Sequence, residues 1–173
     1  SDYILKTNPA RLAHAVMRAV REANDRKLRL KQEQKIARLS RIHAVLSGVN
    51  SAVVRIRNRQ ELFQEACAIA VKHGLFRMAW IGIPEADASK LKPIAWNGYN
   101  EGYLDEVKLA LRKVTEDHGI GGQALREKKA IVANDIATDQ RVAFKQEALA
   151  HGYRSLIALP LLVENKVVAV FLI

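Results

Sequence analysis

Histidine, cysteine and glycine-rich turns are where catalysis or metal binding would first show, and in this chain they are sparse. His14, His43, His73, His118 and His151 are scattered, with no HxH or HExxH spacing to set two ligands on one helix face. Structural or surface roles are expected of each. Cys67 is the sole cysteine, which excludes an internal disulfide and a multi-cysteine zinc site. It lies among apolar positions of a helical pattern, where a buried, inert thiol is expected. Gly119-Ile-Gly-Gly has the look of a phosphate cradle, yet it lacks the Lys-Ser/Thr that a P-loop uses to reach phosphates and magnesium. Two readings of this turn, with Gly121 inside it, stand side by side. It lines a ligand pocket and offers backbone N–H groups at a helix start, or it is a tight turn that needs glycine. Asn134 and Asp135 open the turn Ile136-Ala-Thr-Asp, where their side chains are expected to cap backbone groups more than to touch a ligand. No residue set names a cofactor, and no metal is expected.

The remaining chemical candidate is the basic run Arg26-Lys-Leu-Arg-Leu-Lys-Gln-Glu-Gln-Lys, with Arg38 and Arg41 beyond it. Such cations can hold nucleic-acid phosphates with salt-sensitive affinity. No aromatic residue interleaves residues 26–41, so stacking on single strands is not available. The preferred reading is the solvated side of a linker helix, with a nucleic-acid-binding regulator as the alternative.

The elements that must position these residues fall into two parts. Residues 1–59 hold 14 Lys/Arg against 4 Asp/Glu, while residues 60–173 hold 14 against 14, so the whole net charge of +10 sits in the first third. From Pro9 to about Arg57 there is no second proline and only Gly48 interrupts a helix-compatible composition. Ile36, Leu39, His43, Leu46, Asn50 and Val53 recur at spacings of 3, 4, 3, 4 and 3, a heptad seam with polar His43 and Asn50 at core-type positions. Gly48 is where the helix is expected to bend or set register. Ile42, Val49 and Ile56 widen the face, so burial against more than one helix or against the body is expected.

Beyond Gln60 the pattern changes. Glu61 to His73 reads as an amphipathic helix closed by Gly74. Phe76 to Ile83 and Lys92 to Trp96 read as strands around a polar connection, Glu85 to Lys90. The glycine turn at 119 feeds a helix, Ala130 to Ala133 is a short strand, and Val142 to His151 is helical by pattern. Arg154 to Leu162 and Lys166 to Ile173 form a hairpin across Glu164-Asn165. Helices followed by strands that meet through short turns indicate an α+β domain with a mainly antiparallel sheet. The longest apolar runs fall far short of the roughly 20 residues a membrane helix needs. No signal-peptide pattern opens the chain, and a cytoplasmic location is expected.

Phe76-Arg-Met-Ala-Trp-Ile-Gly-Ile, Ile94-Ala-Trp-Asn-Gly, Gly119-Ile-Gly-Gly-Gln-Ala-Leu, Asn134-Asp-Ile-Ala-Thr-Asp, Gly152-Tyr-Arg-Ser-Leu-Ile-Ala-Leu-Pro-Leu and Val167-Val-Ala-Val resemble, in order and spacing, a GAF domain of the kind found in bacterial sensor kinases and diguanylate cyclases. The resemblance covers about residues 40 to 173. It implies a six-stranded antiparallel sheet with helices on both sides and a small-ligand pocket between the sheet and its connecting segments. Trp80, Trp96, Tyr99, Tyr103, Phe144 and Tyr153 would then lie on or around that pocket with Arg154, a set suited to a small planar or anionic ligand. Core packing accounts for most of these aromatics equally well. The family's usual closing helix has no counterpart after Ile173, and a fragment of a longer polypeptide is inferred. Asp2-Tyr-Ile-Leu-Lys-Thr-Asn with Leu12, Ala15, Val16 and Ala19 resembles the end of a response-regulator receiver domain. In that match Lys6 corresponds to the lysine that contacts a phosphorylated aspartate. The family usually has Lys-Pro here, where this chain has Lys6-Thr7-Asn8-Pro9.

The expected organisation is therefore a receiver-like end at 1–24, a basic signalling helix at 25–57, and a GAF domain at 58–173 without its final helix. The expected function is non-catalytic: a sensory and regulatory module of a bacterial two-component system, pairing as a parallel homodimer and relaying signal to an output domain outside this chain. Some GAF-like proteins reduce free methionine sulfoxide, but that chemistry uses more than one cysteine, so a redox enzyme is the weaker alternative.

Overall fold

The computed structural model describes residues 9–85, 91–99, 102–105 and 119–173. Lys6 and most of Tyr103 to Leu111 lie outside the described residues. The helix-compatible stretch forms one element, α1 (Pro9–Arg55), of 47 residues, and it continues through Gly48. The reason for glycine there is proximity. A Cβ at position 48 would come within 2.9 Å of Ile69 Cγ2, so the helices meet closely there. The chain divides into two compact units at His43/Ala44. In the first unit, Ile36, Leu39 and His43 are exposed.

In the second unit α1 shows two different faces. Leu46, Asn50 and Val53 stand exposed, whereas Val45, Val49, Ala52 and the following Ile56 pack with Leu62 and Ile69. Those last two residues belong to α2 (Arg59–Gly74). Asn58 caps α2, its side chain accepting the Glu61 N–H at 3.1 Å. The helix ends at Leu75, which takes the left-handed conformation at φ 57°. The strand expected from Phe76 therefore starts two residues later.

One face of α2 buries Phe63, Ala66, Cys67 and Ala70 against the sheet. The strands are β1 (Met78–Pro84), β2 (Leu91–Gly98), β3 (Ile131–Ala133), β4 (Leu156–Val163) and β5 (Lys166–Leu172). They form a five-stranded sheet in the order β2-β1-β5-β4-β3, with every pair antiparallel. The six strands implied by the resemblance are thus five among the described residues. The β4–β5 turn is as expected: Glu164 and Asn165 both take positive φ, 47° and 62°, as a two-residue hairpin with the sheet's right-handed twist requires.

Strand alternation divides the core. Ala79, Ile81, Ala95, Ala169 and Phe171 face α2. Met78, Trp80, Leu91, Val170 and Leu172 face the other way, toward the connecting segments. Ile81 and Val170 are among the largest fully buried side chains, each stabilising the fold by about 1.5–3 kcal/mol. The second layer includes α3 (Ile120–Glu127), whose Ile120 and Ala124 are buried. It also includes α4 (Lys145–Ala150), shorter than the helix expected over 142–151. The residues just before α4 are held in turns by Asp139, and buried Val142 anchors that loop to the core.

Candidate functional site

The face of the sheet opposite α2 is where the sequence placed a pocket. Trp80 lies in its core at 8% exposure. Trp96 is its register partner on β2, so both indoles share that face, yet Trp96 sits on an edge strand and is 42% exposed. Gly121 packs closely against this face. A Cβ there would stand 2.8 Å from Leu91 Cδ1 and 3.5 Å from Leu172 Cδ2. Glycine there lets α3 approach the sheet closely, a demand that comes in addition to the two expected readings of the turn, in which Gly119 takes φ 152°.

Three of the expected aromatics converge at one corner. Gly98, at φ 97°, turns the chain at the end of β2, and the Tyr99 N–H donates to the Arg77 carbonyl at 2.9 Å. Any Cβ on Gly98 would meet that carbonyl oxygen at 2.4 Å. The turn lays the Tyr99 ring under Arg77, whose guanidinium carbon is 4.4 Å from the ring centroid, a cation–π contact. The hydroxyl of Tyr153 donates to the Tyr99 carbonyl and lies 3.0 Å from the Met78 sulfur. The Tyr103 ring meets Tyr153 edge-on at 4.9 Å and His151 at 5.4 Å.

Burial pushes the Tyr153 hydroxyl up to about 12, with Arg77 pulling the other way. Tyr153 is consequently a neutral hydrogen-bonding group at physiological pH, not a base. The corner presents a cation and aromatic faces, while the single O–H of Tyr153 is already engaged by the Tyr99 carbonyl.

The other expected residues have separate surroundings. Asn134 is exposed. Asp135 accepts hydrogen bonds from the Ala137 N–H and the Thr138 hydroxyl, both at 3.0 Å, which is the turn chemistry expected of it. Phe144 is half-buried ahead of α4. Arg154 is exposed, and its carbonyl accepts from the Ile136 N–H at 2.8 Å. Cys67 is fully buried, its thiol pushed up to about 12 by desolvation.

Sequence reasoning passed over Arg77, Met78 and His151 as parts of the corner: the β1–β2 pairing brings Arg77 to Tyr99, and His151 reaches Tyr103 from the segment after α4. It also passed over a fork of charge in the next loop. Arg141 donates to Asp139 through Nε at 2.9 Å and Nη2 at 2.6 Å, and Nη2 also donates to the Val132 carbonyl at 2.8 Å. Arg141 hydrogen bonding holds the Asp139 carboxyl down to about 2. A short Asp-x-Arg spacing was the available signal.

Among the described residues no three His, Cys, Asp or Glu come together to hold a metal, and no helix is long and apolar enough to cross a membrane.

Residues 57–173 match the family model described as GAF domain. No curated protein matches. Among solved structures, the fold is similar to that of the A. aeolicus nlh2 GAF domain in an inactive state, at 17% identity and a TM-score of 0.59, covering 79% of each chain. It is similar to the GAF domain of a phosphoenolpyruvate-protein phosphotransferase from Coxiella burnetii, at 10% identity and TM-score 0.57, over 78% of this chain and 76% of that one. It is also similar to free methionine-R-sulfoxide reductase from Neisseria meningitidis, at 15% identity and TM-score 0.56, over 74% of this chain and 69% of that one. With the family model spanning more than half of its residues, the chain belongs to the GAF domain family, a regulatory and sensory fold of signalling proteins.

Proposed function

We propose that this chain is a non-catalytic sensory and regulatory GAF module that pairs with a second copy in parallel through α1. It takes a small planar or anionic ligand at the corner of Arg77, Tyr99, Tyr103 and Tyr153. In this reading it acts in the cytoplasm as part of a bacterial two-component protein, between a receiver domain, to which the segment around Lys6 belongs, and an output domain.

One observation carries the pairing. α1 packs one face onto α2 through Val45, Val49, Ala52 and Ile56, while Leu46 and Val53 of the heptad series are 57% and 52% exposed. A solitary helix gains nothing from apolar residues at heptad spacing on its wet side; a partner helix with the same series buries them. Asn50 at a core-type position would fix the register of such a pair. The reductase reading draws no support from Cys67, which solvent does not reach and burial keeps protonated.

Sedimentation equilibrium tests the pairing. A dimer is expected, converted to monomer with unchanged helix content by Leu46→Glu with Val53→Glu. A wild-type chain that stays monomeric at high concentration with α1 folded refutes it. Native mass spectrometry of the purified protein tests the corner: a copurified small molecule lost in Arg77→Ala and Tyr153→Phe is the expected result.

A further inference from the structure

Where β2 runs past β1 the ladder slips: Ile81 faces Ala95 but Gly82 faces Pro93, so Ile94 is an extra, bulged residue. β2 is also an edge of the sheet, and both the bulge and the edge leave backbone carbonyls without a ladder partner. Two glutamines one turn apart on α2 take them. Gln60 Nε2 donates to the Ile94 carbonyl, and Gln64 Nε2 donates to the Trp96 carbonyl at 2.7 Å. Next to Gln64 on the same helix, Glu65 meets Arg55, the last residue of α1, at 3.4 Å. One turn of α2 therefore grips the strand that carries Trp96 and also the end of the helix that carries Leu46, Asn50 and Val53.

We infer that Gln60 and Gln64 are positioning residues that couple displacement of β2 on the ligand-facing side of the sheet to the packing of α1. The inference rests on the sensory reading above. Both amides are exposed, and an open depression of about 490 Å³ gives solvent access to them, so water can replace either bond and the grip can be released without unfolding. The packing contacts of α2 on the sheet through Phe63, Ala66, Cys67 and Ala70 are apolar and non-directional. They tolerate a small slide of an edge strand, whereas a hydrogen bond aimed at a carbonyl does not.

Hydrogen exchange read by mass spectrometry tests the coupling in the full chain. Trp96→Ala perturbs β2 from its ligand-facing side. It is expected to speed amide exchange in residues 45–55 of α1 by about threefold or more, the scale of one lost hydrogen bond. With Gln60→Glu and Gln64→Glu, which keep size but cannot donate, Trp96→Ala should still speed exchange in β2 while leaving residues 45–55 at the rate of the glutamate variant. An equal α1 response in both backgrounds, or none in either, overturns the inference. If the double variant does not fold, Gln64→Glu alone serves with the same criterion. The dimer reading fails separately: a monomer that keeps the exchange coupling refutes pairing and leaves the tether standing.

Discussion

Gly48 and Ile69 touch where α1 crosses α2, with 2.9 Å between the place a Cβ would occupy and Ile69 Cγ2. Helix propensity alone would make Gly48→Ala stabilising by about 1 kcal/mol. Ile69 is buried and β-branched, so its Cγ2 cannot swing aside at low cost. Gly48→Ala is expected to lower stability by about 1 kcal/mol and Gly48→Val by about 2 kcal/mol, measured by urea unfolding. A control change, Ser51→Ala at an exposed position of the same helix, should stabilise by a few tenths of a kcal/mol.

The Asp139–Arg141 fork makes a pH signature. The folded carboxyl, held down to about 2 by Arg141 from an ordinary 3.8, contributes stability that is fully present above pH 4 and lost as pH falls through 2. Asp139→Asn should therefore be less stable than the wild type at pH 6, with the difference closing toward pH 2. Thermal melts across that range would show the convergence, and a constant gap would contradict it.

Tyr153 titrates at the opposite end. Its folded value of about 12 lies above the ordinary 10, so its contribution holds below pH 10 and is lost as pH rises through 12. Absorbance at the tyrosinate band should show a late-titrating component in the wild type that is lost in Tyr153→Phe. That substitution also removes the bond to the Tyr99 carbonyl and is expected to cost about 1 kcal/mol.

Cys67 gives a chemical test of burial. With the thiol near 12 and no exposed surface, a thiol reagent at pH 8 should leave the native protein unlabelled and modify it at once in denaturant. Rapid native labelling would mean that α2 detaches from the sheet.

Much of the fold could be read from the chain because it rests on local patterns. The body of α2 over Glu61 to His73, the hairpin at Glu164-Asn165 and the apolar strand around Trp80 follow from period and turn rules, whereas the Asn58 cap that starts α2 earlier was not read. The shortened α4 could not be read, because Val142 belongs to the apolar pattern while Asp139 holds its backbone in a turn. The corner was half legible: its tyrosines were visible, but Arg77 reaches Tyr99 only through a β-strand register. The close approaches at Gly48 and Gly121 could not be read, because the demand on each comes from a side chain distant in sequence, Ile69 or Leu91.

Among the described residues, the chain's own side chains take carbonyls on both outer strands of the sheet, Gln60 and Gln64 on β2 and Arg141 on the Val132 carbonyl of β3. An open margin invites a strand from any neighbour, and the most concentrated neighbour of a domain in a long polypeptide is the next domain. With these carbonyls occupied, the outer strands offer a neighbouring sheet fewer acceptors to pair with, which disfavours the fusion of adjacent sheets.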